Sequence, residues 1–309
     1  MNARDIASFL NLSIPITDGT FTTHAVKEFA DYRRELITFD SGEGDRIPAY
    51  LFRPNVDDES CPAIVLQHQH NGERHLGKSE TAGLLGDEQN AFGPRLAREG
   101  FVVLCPDSIC FEDRRRQTSG SEPHADDWLQ HYNELVYRLV TGDTLMRKVL
   151  SDACAAVTLL DRLDHVDSTR IGTFGHSYGG NTVLFHSAID QRIAFAASSG
   201  AACTYATKMA QETGIEMAEV IPGFASEFDI GDLVRATAPR PMLIVSATGD
   251  DTSADAPAIV DAARATYEAQ NAGENLTHLR YDGAHALTQE RVEAITNWIC
   301  ATGKQTLVQ

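Results

Sequence analysis

One short stretch, Gly175-His176-Ser177-Tyr178-Gly179, places a glycine two residues before and two residues after a serine. It lies inside RIGTFGHSYGGNTVL, between a short apolar run and an apolar-periodic one. That pattern predicts a strand-to-helix turn bent too tightly for a Cβ atom on either side, with Ser177 held out as a nucleophile. A serine hydroxyl attacks poorly at neutral pH, so it needs a base, and the base needs an orienting carboxylate.

Downstream of Ser177 the chain has three histidines: His186, His278 and His285. His186 falls within the helix predicted after the turn, and His278 within the strand-like run NLTHLRY. His285 sits in YDGAHAL, a Gly/Ala turn before the amphipathic stretch TQERVEAITNWIC, and is the expected base. For the acid, the strand-like PMLIVSATG ends at Asp250 and Asp251. The first acid past a strand tip has the shortest reach, so Asp250 is the expected partner and Asp251 its rival. Asp255 is expected to cap a helix that begins near Pro257.

Charge developing on a substrate oxygen requires backbone N–H donors. Tyr178, the residue after the serine, is one expected donor. The other is expected from the turn in AIVLQHQHNG, at His70, or at Gln69 if the turn is one residue tighter. The same run holds His68, His70 and His75, which an alternative reading uses as ligands of a metal-dependent hydrolase. The sequence has no HExxH pair, and a turn after a strand accounts for the cluster more simply.

These residues need a frame. ELITFD and RIPAYLFRP, separated by SGEGD, predict a hairpin. AIVLQ, FVVLC, RIGTFG, IAFAAS and MLIVSA are nearly continuous apolar runs, as expected of strands covered on both faces. Helical periodicity at 91–99, 146–163, 181–188 and 256–269 alternates with them. The economical architecture is α/β: a mostly parallel sheet led in by an antiparallel pair, with helices on both faces. Residues 1–34 read as a helical or irregular leader and 35–309 as one domain. Insertions near 110–143 and 203–232, beyond strand ends, are expected to be lid-like. In the first, the run with Glu112, Arg114, Arg115 and Arg116 is expected to be a solvated face, the alternative being a site for an acidic substrate group. Trp128, Tyr132 and Tyr137 would line a pocket or form the insertion's own core.

Composition sets outer bounds. The chain has 309 residues, 42% of them apolar, enough for a substantial core. Its 44 acidic and 26 basic residues give a net charge of -18, which sets most of the surface against nucleic acid. No apolar run approaches the roughly 20 residues of a membrane span, and the amino terminus lacks a signal-like pattern. A cytoplasmic protein free of membrane is expected, with a small-molecule substrate and with homo-oligomerisation left open. The six cysteines form no CxxC pair.

With those residues placed, the chain resembles the α/β-hydrolase superfamily, and within it the dienelactone-hydrolase and acetyl-xylan-esterase-like branch. The resemblance rests on LQHQHNGERHLGKSE, HVDSTRIGTFGHSYGG, IPGFASEFDIGDLVRATAPRPMLIVSATGDD and DGAHAL, spanning about residues 35 to 300. It implies a carboxylic-ester hydrolase working without a cofactor through Ser177, His285 and Asp250, on small acyl esters of the acetyl-sugar or aryl type. A serine peptidase or a lactonase on the same fold is the alternative. Dienelactone hydrolases use a cysteine where this chain has Ser177. Gln69 and Ala247 also replace glycines usual in the turn and in the acid loop.

Overall fold

The computed structural model of the chain describes residues 3–15, 17–56 and 60–305. Among these, nine strands make one sheet in the order β1-β2-β3-β5-β4-β6-β7-β8-β9. They are β1 (Phe21–Glu28), β2 (Tyr32–Asp40), β3 (Arg46–Pro54), β4 (Cys61–Gln67), β5 (Val102–Pro106), β6 (Val166–His176), β7 (Phe195–Ser199), β8 (Met242–Ala247) and β9 (Leu276–Tyr281). The first three run antiparallel, and β3 joins antiparallel to β5. From β5 to β9 the sheet is parallel. This is the α/β-hydrolase arrangement expected, with the β2–β3 hairpin in the predicted place.

Alternation along the buried strands explains why helices cover both faces. Met242 and Ile244 of β8 point into one core, and Leu243 and Val245 into the other. The first core packs on helices Leu145–Asp161, Tyr178–Ile189 and Ala256–Glu268, the second on Phe92–Arg98 and Gln289–Gly303. Burying an aliphatic side chain contributes about 1.5–3 kcal/mol, so each such strand stabilises two layers at once.

The segment expected to be a helical or irregular leader departs from that reading. After helix Ala3–Phe9 it contains β1, which pairs with β2 along the sheet edge. Every residue of β1 after Phe21 is exposed. Such a strand has no buried face, hence no alternation for a hydropathy pattern to reveal.

The basic run of the first insertion is a second correction. Instead of a solvated face it enters a largely buried ion-pair network. Lys78 Nζ meets Asp107, Glu112 and Asp113 at 2.9, 2.5 and 2.6 Å. Arg114 pairs with Asp45 and Asp152, Arg115 with Asp127, and Arg116 with Glu134. Burial opposes the ammonium of Lys78, yet the surrounding carboxylates hold its pKa above the ordinary value. Partners such as Asp45 and Asp152 are remote in sequence, so the network closes only in three dimensions. Trp128 and Tyr132 stack at 5.2 Å on the exposed side of helix Asp127–Val140 and form no core, and Tyr137 is exposed as well.

The six cysteines are free. Among the described residues no helix is long and apolar enough to cross a membrane.

Candidate active site

β6 ends at His176 and a helix starts at Tyr178, leaving Ser177 alone on the turn with φ 56° and ψ -120°. L-residues seldom adopt such a backbone, and it costs of the order of 1–3 kcal/mol. Its neighbours hold it there. The Ser177 N–H donates to the Ser199 carbonyl of β7 at 2.8 Å. A Cβ on Gly175 would lie 2.3 Å from the Gly179 carbonyl carbon, and one on Gly179 would lie 2.0 Å from the Gln67 oxygen. Both glycines are therefore required by close approach of backbone to backbone.

His285 follows β9 and Asp250 follows β8, and both reach back toward the serine. His285 Nε2 is 2.8 Å from Ser177 Oγ, and its Nδ1 is 3.0 Å from Asp250 Oδ1. A carboxylate only accepts, so Nδ1 carries the ring proton and Nε2 is left to take the hydroxyl proton. Burial pushes the Asp250 carboxyl up, but hydrogen bonds from His285, Thr252 and Ser253 outweigh it and keep the group well below the usual carboxylate range. It stays charged opposite the imidazole.

Asp251, the rival acid, is exposed and lies outside this arrangement. Asp255 occupies the residue before helix Ala256–Glu268 without capping it; its carboxylate accepts instead from the Thr204 N–H at 3.0 Å and the Thr207 hydroxyl at 2.6 Å. Pro at the start of that helix removes one of the donors a cap would satisfy. His278 pairs with Ser246 at 2.9 Å, and His186 is buried in its helix.

Three neighbours escaped the sequence reading. Thr252 Oγ1 lies 2.6 Å from Asp250 Oδ1, 3.0 Å from His285 Nδ1 and 2.9 Å from the Gly200 carbonyl. Ser253 Oγ donates to Asp250 Oδ2 at 2.7 Å. Hydroxyl residues two and three places after the acid, in GDDTS, were the available signal. The third is His176, whose ring lies 4.8 Å from that of His285 and whose Nδ1 contacts Ser199 Oγ at 3.0 Å. Burial pushes its pKa down to about 3, so it is a neutral surface beneath the second imidazole.

The turn after β4 lies against the same elbow, since the Gln67 and His68 carbonyls abut Gly179. The Ser108 N–H donates to His68 Nε2 at 3.1 Å, which leaves the ring proton on Nδ1, 2.7 Å from the Gln69 carbonyl. Burial lowers the His68 pKa to about 4, which preserves that neutral tautomer. His70 accepts from the Gly72 N–H at 2.8 Å through Nδ1 and faces Glu216 of the second insertion through Nε2. The N–H groups of Tyr178, Gln69 and His70 have no acceptor among the described residues. His68, His70 and His75 do not gather as ligands. Groups of three or more ligand-type side chains within 4.8 Å of one another are, among the described residues, Cys154/His186/Asp190 and Asp107/Glu112/Asp113. In the first, Asp190 is held by Arg192 at 2.6 Å, and in the second the Lys78 ammonium sits among the carboxylates.

The model of the Dienelactone hydrolase family matches residues 47–219, more than half of the chain and including the elbow. The chain belongs to the dienelactone hydrolase family. As a member it is a hydrolase. It is 27% identical over 214 residues to "Putative hydrolase YtaP" of Bacillus subtilis, covering 68% of this chain and 67% of that protein. Among solved structures it is similar to a "putative acetyl xylan esterase" from Bacteroides fragilis, with TM-score 0.74 and 16% identity over 90% of this chain and 73% of the other. A glucuronoyl esterase from Solibacter usitatus aligns with TM-score 0.66 and 14% identity over 98% and 92% of the two chains. At such identities the likeness is one of fold. It gives this dienelactone hydrolase family member an overall fold shared with proteins named as esterases.

Proposed function

We propose that the chain is a serine esterase acting on small acyl esters, of the acetyl-sugar or aryl type, through an acyl-enzyme. The observation that carries this reading is the line from Ser177 Oγ through His285 to Asp250, at 2.8 and 3.0 Å. Ser177 Oγ attacks the ester carbonyl while His285 Nε2 takes its proton. Asp250 holds the imidazole in the required tautomer and offsets its positive charge. The N–H groups of Tyr178 and of the Gln69–His70 turn receive the negative charge on the carbonyl oxygen. The alcohol leaves with the proton from His285, and a water deprotonated by the same ring then releases the acid.

Support for an ester substrate comes from family membership and from neighbours named as acetyl xylan and glucuronoyl esterases. Ser177→Ala tests the reading directly. Hydrolysis of p-nitrophenyl acetate should fall by at least about a thousandfold with the fold intact, because the covalent step is removed. A fluorophosphonate should label the wild type at Ser177. Undiminished turnover in the variant refutes the serine mechanism.

A further inference from the structure

Gln69, one of the two candidate donors in the turn after β4, is fixed through its side chain as well as its backbone. Its Nε2 donates to Glu80 Oε1 at 2.9 Å. Glu80 lies on the short helix Lys78–Thr81, is 2% exposed and takes a longer bond from Asn90 Nδ2 at 3.4 Å. Among the described residues no cation is ion-paired with it, and burial raises its carboxyl to about 7. A carboxyl buried without a cation costs folding energy. Here its hydrogen bond secures one residue of a turn that has left the sheet ladder.

The same residue is held from the other side, because His68 Nδ1 donates to the Gln69 carbonyl. In a trans peptide the carbonyl of one residue and the N–H of the next point in opposite directions. Fixing both the carbonyl and the carboxamide of Gln69 therefore fixes the direction of the His70 N–H, which no acceptor among the described residues uses.

We propose that Glu80 is a positioning residue: through the Gln69 carboxamide it holds the Gln69–His70 peptide with its free N–H toward the oxygen that becomes charged when Ser177 attacks. The inference rests on the serine mechanism proposed above. It depends on the glutamine, since a glycine in place of Gln69 would offer Glu80 nothing to grip.

A reciprocal exchange tests it. Glu80→Leu should lower kcat for p-nitrophenyl acetate by of the order of 10- to 100-fold with KM little changed, the effect of a misplaced catalytic group. Phosphonylation of Ser177 by a fluorophosphonate should slow by a similar factor, since the phosphoryl oxygen occupies the same place. Gln69→Glu, which sets two acids face to face, should behave likewise. The double variant Gln69→Glu/Glu80→Gln re-forms the bond with its polarity reversed and should recover most of both rates, and Glu80→Gln should recover most of what Glu80→Leu loses. Unchanged kcat and labelling in the single variants overturn the inference. So does a folded double variant no faster than Gln69→Glu. If Glu80→Leu fails to fold, the volume-conserving exchange series decides alone. A wild type that is not labelled at Ser177, with Ser177→Ala still turning over, removes the serine mechanism and this inference together.

Discussion

Ser177 Oγ and His285 Nε2 lie 2.8 Å apart although 108 residues separate them in the chain. The serine stands at the tip of β6, near the middle of the sheet, and the histidine follows β9 at its edge. Asp250, after β8, comes in between.

The acid can be tested by contrast. Asp250→Asn removes the acceptor that fixes the His285 tautomer and should lower kcat on p-nitrophenyl acetate about 10⁴-fold, as at other such sites. Asp251→Asn changes an exposed side chain and should leave kcat near the wild-type value. The reverse result would transfer the role to Asp251.

Thr252 offers a finer test. Its hydroxyl is within bonding distance of both Asp250 Oδ1 and His285 Nδ1. Thr252→Val should lower kcat roughly tenfold, the equivalent of one lost hydrogen bond of about 1.4 kcal/mol, and Thr252→Ser should restore it. Equal rates in the valine and serine variants would reduce Thr252 to a packing role.

Gly179→Ala brings a Cβ against the Gln67 carbonyl, a backbone atom that cannot swing aside. We expect destabilisation of about 3 kcal/mol or more, or failure to fold, read from urea melts. A stable, active alanine variant would mean that the elbow can open.

Buried histidines make the fold sensitive to acid above the ordinary carboxylate range. Burial holds His68, His131 and His176 neutral, with pKa values pushed down to about 4, 3 and 3 from the ordinary 6.5. The unfolded chain binds these protons as pH falls through 6.5, whereas the fold does not. Their contribution is therefore full above pH 6.5 and is lost as pH drops toward 4, by up to about 1.4 kcal/mol per pH unit for each ring. Glu80 and Asp107, each raised to about 7, and Glu219, raised by burial, work the opposite way over part of that range. In urea melts between pH 7.5 and 5 the stability of His131→Gln relative to the wild type should therefore rise as the pH falls, because the variant lacks one of the depressed rings. Parallel pH profiles for the two proteins would mean that the His131 ring charges in place.

Lys78→Met leaves Asp107, Glu112 and Asp113 facing one another without their shared cation. Breaking a buried pair in this way costs about 3–5 kcal/mol, and the melting temperature should fall accordingly.

Much of this was legible in the sequence, for reasons that differ by residue. Gly175 and Gly179 stand out because only glycine fits where two backbones nearly touch. His285 and Asp250 could be picked out by their place just past a strand, which is where the parallel half of the sheet delivers side chains. β1 was hidden because it lies exposed on the sheet edge and buries nothing. The roles of Arg114, Arg115 and Glu80 were hidden for another reason: a charged residue looks the same in sequence whether its partner is water or a group brought close by folding. Thr252 and Ser253 belong between these cases, adjacent to the acid yet ordinary in type.

The position of β9 has a consequence for how the protein fails. This last strand is only partly buried, and among the described residues it is paired on one side alone, to β8. Fraying of that border would carry off the imidazole-bearing loop while the interior layers, with Ser177 among them, stayed assembled. Catalysis and global cooperativity would then part company in mild denaturant, leaving an inert protein that still passes for native by circular dichroism.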